Sequence, residues 1–317
     1  MKDITVIIRS VRERTEQLCR KMILEQGVQE KDLIIVREVP FSMSMKKSFE
    51  IGLERGKKWT FCIDADVLLR KHSIQKMIQF AENQKKNVCE IQGLVLDKFF
   101  SGPRGAGNHL YRTSLLRKVI ERIPVEGEDI RPETNALNRM AADGYPWENV
   151  PYLVGVHDDE QYNFDIYRKS FVQAVKHLNY ADLIVHHWKK NLEHDYDFRI
   201  ALTAFSEGIR NTDTVYINSE QDLYRELFNA AGFMEKEELD ISTISLEDIE
   251  ERIQNWEINE KYYNYFPNSM GLQSSSEVMS RKLKSSIGKR GLLDTLRLST
   301  SQTLITLGKK IGSKVPD

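Results

Sequence analysis

Short apolar runs separated by stretches of helical period fill the first half of the chain. Ile4 to Ile8 is an almost unbroken apolar run and predicts a buried strand; Glu16 to Gln26 reads as a helix stopped by Gly27, and Leu33 to Val36 as a second strand. Met45, Phe49 and Leu53 mark one face of a helix closed near Gly56, and Trp59 to Ile63 forms the next strand. Ser73 is placed to cap a helix whose Ile74, Met77, Ile78 and Ala81 recur at i, i+3, i+4 and i+7, before Val88 to Val95 returns to strand. The order is βαβαβαβ. Strands that are continuously apolar, each linked by a helix, imply a mostly parallel sheet covered on both faces, an α/β fold. Ligands of such sheets bind beyond the carboxyl ends of the strands. Asp64 and Asp66, in "FCIDADVLL", fall at one such end.

Beyond Val95 the pattern breaks into an expected loop containing "SGPRGAGNH", then a helix around Ser114 to Arg122. After Ile123-Pro124 come an acidic loop, "VEGEDIRPE", a helix ending at Gly144, and a last strand from Tyr152 to Val156. From Tyr162 the pattern is mainly helical, with an acidic, amphipathic stretch through Glu235 to Glu260. Asn268 to Ser276 is rich in Ser and Gly, and the remainder is basic. The expected organisation is therefore an α/β domain over 1–180, a helical extension over 181–270 and a basic amphipathic tail over 271–317.

Composition narrows the class. With 317 residues, 40% hydrophobic and 29% charged, the chain can bury a large core, and a formal net charge of -1 selects no partner. No apolar stretch approaches the ~20 residues of a membrane span, and "MKDITVIIRS" lacks the regions of a signal peptide. The expectation is a cytoplasmic protein. Cys19, Cys62 and Cys89 are too widely spaced for a disulfide framework or a CxxC metal pair, so reduced, buried thiols are expected.

Two carboxylates at a strand end repel one another and are costly to desolvate. A divalent cation resolves this, because Mg2+ and Mn2+ take hard oxygen ligands and share them with substrate phosphates. The structural alternative is that one Asp caps a turn and the other is solvated. In the order "ITVIIRSVRERTEQLC", "DLIIVREVPF", helix, "WTFCIDADVLL", the chain resembles the nucleotide-sugar domain of family 2 glycosyltransferases and related GT-A fold enzymes over roughly residues 1–180. The resemblance implies that Asp64 and Asp66 are the DxD motif holding Mn2+ or Mg2+ against the donor diphosphate, with Asp66 the more direct ligand. It places Arg9, Ser10, Arg12 and Glu38 beside the nucleotide. "GEDIRPETNALNRMAADGY" resembles the family's Glu-Asp before a helix, which implies Asp129, with Glu128 as fallback, as the general base that takes the acceptor proton. "GAGNHLYR" is similar to a glycine-bearing segment near the donor sugar, with His109 an acceptor-side candidate. The resemblance also implies a histidine that completes the metal site after the last strand, which makes His157 the expected third ligand, ahead of Asp158 and Asp159 and of the competing His186 and His187.

The implied function is a metal-dependent, inverting glycosyltransferase moving a sugar from a UDP- or GDP-linked donor to a glycan or glycolipid hydroxyl, in surface polysaccharide or glycolipid synthesis. A non-catalytic nucleotide-sugar-binding or scaffold protein is the alternative. A haloacid-dehalogenase-like phosphatase fits less well, because Leu68 stands where that motif carries Thr or Val and three elements precede it. In the tail, Leu293, Leu296, Leu304, Leu307 and Ile311 at near-helical spacing among lysines and arginines suit either an interfacial helix on the inner face of a membrane or an oligomerisation helix. No aromatic platform accompanies that charge, so nucleic acid is not an expected partner.

Overall fold

Apolar runs at the start of the chain become three adjacent strands of one sheet. β1 (Ile4–Arg9) is buried along its whole length and pairs in parallel with β2 (Leu33–Val36) and β3 (Trp59–Asp64). The computed structural model describes residues 1–100, 102–177, 181–211, 215 and 222–259. Among them, β4 (Val67–Leu69), β5 (Glu90–Asp97), β6 (Pro103–Arg112) and β7 (Trp147–His157) complete one sheet of order β2-β1-β3-β6-β5-β7-β4. Five strands run one way, and β6 and β4 run against them. The expected α/β sheet, mostly parallel in strand direction, is therefore what the chain forms.

Helices cover both faces. α1 (Glu16–Glu25) and α3 (Ser73–Glu82) pack on one side with α10 (Leu246–Asn259), whose Ile249 and Ile253 are fully buried. α2 (Phe41–Arg55), α4 (Leu116–Ile120) and α5 (Pro132–Ala142) close the other. α6 (Asn163–Lys176), α7 (Ala181–Asn191), α8 (Asp197–Arg210) and α9 (Asp222–Ala230) form an aromatic-rich cluster around Tyr167, Phe171, Trp188 and Phe205. Met1–Pro267 is one compact unit. The tail expected over 271–317 lies outside the described residues. Among the described residues no helix is long and apolar enough to cross a membrane. The three thiols are unpaired and buried, as expected.

Several local expectations are corrected. The glycine-bearing segment read as a loop is most of β6, inserted antiparallel between β3 and β5. Its Arg-Gly-Ala-Gly-Asn run has no apolar alternation, because pairing on both flanks, rather than burial of large side chains, holds it as strand. β4 is three residues long, too short for a periodic signal, and β7 begins at Trp147 rather than Tyr152. Ser73 does not cap α3. The preceding His72 adopts the left-handed conformation (φ 63), and the Ser73 hydroxyl donates to the Val154 carbonyl at 2.6 Å, tying the helix to β7.

Strand register is what positions the chemistry. It sets Arg9 opposite Asp64 on β1 and β3 and, across β6 on β5 and β7, Asp97 opposite His157. These residues end β1, β3, β5 and β7 at the same edge of the sheet.

Candidate active site

Arg9 is 3% exposed and joins three elements. Its Nε donates to Asp64 Oδ1 at 2.8 Å, and its Nη1 to Glu133 Oε1 at 2.9 Å, linking β1, β3 and the first turn of α5. Glu133 is held further by the Tyr111 hydroxyl at 2.7 Å and by His109 Nε2 at 3.1 Å; His109 Nδ1 in turn lies 3.0 Å from Glu90. Burial raises the Glu133 carboxyl, but Arg9 and His109 outweigh it and hold the group well below its ordinary value. Burial lowers His109, yet Glu133 and Glu90 lift it from 6.5 to about 10. Asp64 is raised, chiefly because burial outweighs the attraction of Arg9.

A second cluster forms where β3 turns into β4 and β7 ends. Ligand atoms of Asp66, His157 and Asp158 all lie within 4.8 Å of one another, and the three residues are buried. His157 Nδ1 is 2.8 Å from Asp97 Oδ2 and 3.1 Å from Asp158 Oδ2, while its Nε2 faces Asp66 Oδ1 at 3.5 Å. Asp97 is fixed by Arg104 at 2.6 Å and by the Phe99 N–H at 2.9 Å. Lys169 donates to both Asp66 and Asp158, the latter at 2.6 Å. Burial opposes the charged forms, but Lys169 and His157 pull Asp66 below its usual value, and Asp158 and Asp66 raise Lys169 well above its own. Burial also opposes the His157 imidazolium, which Asp158, Asp66 and Asp97 nonetheless lift to about 9.

This donor set suits a hard or borderline divalent cation: two carboxylates and an imidazole whose second nitrogen is anchored by Asp97. Asp66 Oδ1 is buried and accepts no hydrogen bond, facing His157 Nε2 at 3.5 Å. The Lys169 ammonium between Asp66 and Asp158 shows that the cluster already calls for positive charge.

Both clusters open on one cavity of about 340 Å³. Asp64, Asp66, Arg9, Ser10, Glu38 and His157, all singled out in the sequence, line it. Arg12 is not among the lining residues; it occupies a left-handed position (φ 69) and donates its N–H to the Ser10 hydroxyl. Glu128 and Asp129 also fall outside the lining. Glu128 is exposed and paired with Arg139. Asp129 accepts from the Arg131 N–H and the Asn135 side chain, both at 2.7 Å, and so ties the loop before α5 to the helix. His186 does not line the cavity, and His187 bonds the Lys98 carbonyl at 3.0 Å.

Sequence reasoning passed over Glu133, Lys169, Asp97 and Arg104. Glu133 lies 124 positions from Arg9 and Lys169 lies 103 from Asp66, so no local pattern connects them. One signal was available for α6: Lys169, Val172, Gln173 and Lys176 recur at i, i+3, i+4 and i+7, and this face lines the cavity.

No protein-family model matches the chain, and no curated protein matches it. Among solved structures it is similar to the mannosyltransferase PcManGT from Pyrobaculum calidifontis in complex with GDP-Man and Mn2+ (TM-score 0.35, 11% identity, 73% of this chain and 79% of that one). A glycosyltransferase involved in glycosylation of the major capsid of PBCV-1 (TM-score 0.34, 15% identity, 49% and 82%) is another. So is a cytidylyltransferase from Leptospira borgpetersenii (TM-score 0.33, 11% identity, 50% and 79%). At such scores, and with different activities among them, none of these likenesses bears on chemistry, which rests on the residues of this chain.

Proposed function

We propose that the chain is a metal-dependent transferase that moves a sugar from a nucleotide diphosphate donor to an acceptor hydroxyl. The observation that carries this reading is the cluster of Asp66, His157 and Asp158, whose buried ligand atoms converge beside a cavity at the carboxyl ends of parallel strands. These three residues would hold Mn2+ or Mg2+, and a cation bound there supplies Lewis-acid neutralisation of the charge that builds on the leaving diphosphate.

The remaining chemistry belongs to side chains. Lys169 keeps Asp66 and Asp158 in place and brings a positive charge beside the diphosphate. Arg9, Ser10 and Glu38 form the nucleotide end of the cavity, and Arg9 fixes Asp64 there. The Arg9 to Glu133 to His109 network locks β1, β3, β6 and α5 together, so the donor meets a preorganised wall. Asp129 takes the acceptor proton; the support is its place in the Gly127–Tyr145 segment, and it sits at the mouth of α5, whose Pro132 and Glu133 line the cavity. Attack by a hydroxyl deprotonated there gives inversion at the sugar.

The test is release of nucleoside diphosphate from a panel of UDP- and GDP-sugars, with and without Mn2+, by the full chain and by Asp66→Ala. Release from one donor that needs the metal and vanishes in the variant supports the proposal. Absence of release from every donor, in protein shown to be folded and with glycan acceptors present, sinks it.

A further inference from the structure

Lys169 stands where a cation between Asp66 and Asp158 would stand. Its ammonium donates to Asp66 Oδ2 and, at 2.6 Å, to Asp158 Oδ1. The other oxygen of each carboxylate faces His157: Asp66 Oδ1 lies 3.5 Å from Nε2, and Asp158 Oδ2 lies 3.1 Å from Nδ1. All four oxygens therefore already face Lys169 or His157. A divalent ion that uses both carboxylates must sit beside the ammonium or replace it. Beside it, like charges a few ångströms apart in a buried site repel strongly. Replacement is the alternative, and the structure is arranged for it.

The two carboxylates do not depend on the ammonium for their position. The Asp158 N–H donates to the Asp66 carbonyl at 3.2 Å, and Val67 pairs with His157 across β4 and β7, so the backbone keeps the pair together when Lys169 leaves. Lys169 is also the most accessible of the three, its side chain 21% exposed against 8% for Asp66 and 6% for Asp158, and it lines the cavity on a flexible four-carbon stem. The other carboxylates whose charge it feels are engaged. Asp165 faces Arg168 at 3.4 Å, and Glu13 accepts from the Ser10 hydroxyl at 2.7 Å. A displaced ammonium needs a new anion, and a diphosphate entering the cavity supplies one that a lysine can meet as a point charge.

We propose that Lys169 is a resident cation that exchanges with the divalent ion: it neutralises Asp66 and Asp158 while the metal is absent, yields both oxygens when the metal binds, and then contacts the donor diphosphate as a further catalytic residue. The diphosphate contact rests on the transferase reading; the exchange on the two carboxylates needs only the metal. Metal binding is thereby weakened on its own and strengthened by the diphosphate, a coupling carried by one side chain.

The experiment uses the full chain and has two readouts. Calorimetric titration with MnCl2 compares wild type, Lys169→Met and Lys169→Arg. With the ammonium on the carboxylates in about nine molecules in ten, removing it tightens Mn2+ binding about tenfold, so Lys169→Met should gain about that much and Lys169→Arg should gain nothing. Acetylation of Lys169 by acetic anhydride, read by mass spectrometry against the exposed Lys46, should rise in wild type on saturation with Mn2+ and fall again when UDP or GDP is added. The labelling needs no variant, so it decides even where Lys169→Met fails to fold. Equal Mn2+ affinity in wild type and Lys169→Met, no Mn2+ binding to either, or labelling that saturating Mn2+ leaves unchanged overturns the exchange; nucleotide binding that still requires Mn2+ then leaves the transferase reading intact. If Mn2+ raises the labelling but neither nucleotide binds, the transferase reading fails and the exchange stands. A nucleotide that binds and leaves the labelling high overturns the diphosphate contact.

Discussion

Replacing Arg9 by Met isolates what holds the site together. The methionine nearly preserves volume, so the loss is the charge and two hydrogen bonds, to Asp64 at 2.8 Å and Glu133 at 2.9 Å. Removing one partner of a buried ion pair costs about 3–5 kcal/mol, because the other charge is left uncompensated. The low end applies, since Asp64 is 27% exposed at its side chain and Glu133 keeps Tyr111 and His109. About 3 kcal/mol in urea, with a slope near 3 kcal/mol per molar, moves the midpoint down by about 1 M. The pH dependence has a definite sign. The folded Glu133 carboxyl is depressed below its ordinary 4.5, so its contribution is present above that pH and is lost as pH falls below it. Without Arg9 the depression shrinks, and the gap between variant and wild type should narrow as the solution is acidified. Urea titrations at pH 7 and pH 4, with Glu133→Gln and the double variant completing a cycle, measure both effects. A loss below about 1 kcal/mol, or additive single variants, would refute the buried network.

Three further outcomes are expected. Lys169→Met leaves Asp66 and Asp158 without their ammonium, so thermal stability without metal falls by the equivalent of about 3 kcal/mol and added Mn2+ restores more of it than in wild type; equal Mn2+ responses would mean that the two carboxylates do not bind the ion. Gly107 has a left-handed φ of 59, and a Cβ there would meet Val67 at 2.8 Å and Asp64 Oδ2 at 3.1 Å, so Gly107→Ala should cost about 1–3 kcal/mol and weaken nucleotide binding by displacing Asp64; unchanged affinity by calorimetry would contradict that. Asp129→Asn keeps an acceptor for the Arg131 N–H and should bind donor normally while transfer falls at least a hundredfold, whereas transfer that survives in Asp129→Asn but fails in Glu133→Gln would move the base to Glu133.

The parts of this fold legible in the sequence are those whose signal is local. β1 and β3 read correctly because both their faces are buried, and β2, though an edge strand only half-buried over three of its residues, keeps the same unbroken apolar run. Asp64 and Asp66 were legible for the same reason, as charges terminating such a run. β6 was hidden because its strand character comes from two neighbours rather than from its residues. The cluster at the end of β7 was only partly visible: Asp66, His157 and Asp158 were singled out in the sequence, while Lys169 enters from a helix whose direction only tertiary packing sets. Glu133 was hidden most completely. In sequence it is an acidic residue in the first turn of α5, an ordinary place for one, and only the fold turns it toward Arg9 and His109.

The most direct test of the central claim is calorimetric titration of UDP and GDP into the full chain, each with and without Mn2+, beside Asp66→Ala. The account predicts metal-dependent binding of one nucleotide to the wild type and none to the variant. Binding of equal strength with and without Mn2+, or binding that survives in Asp66→Ala, would contradict a metal held by Asp66, His157 and Asp158 and with it the proposed transferase.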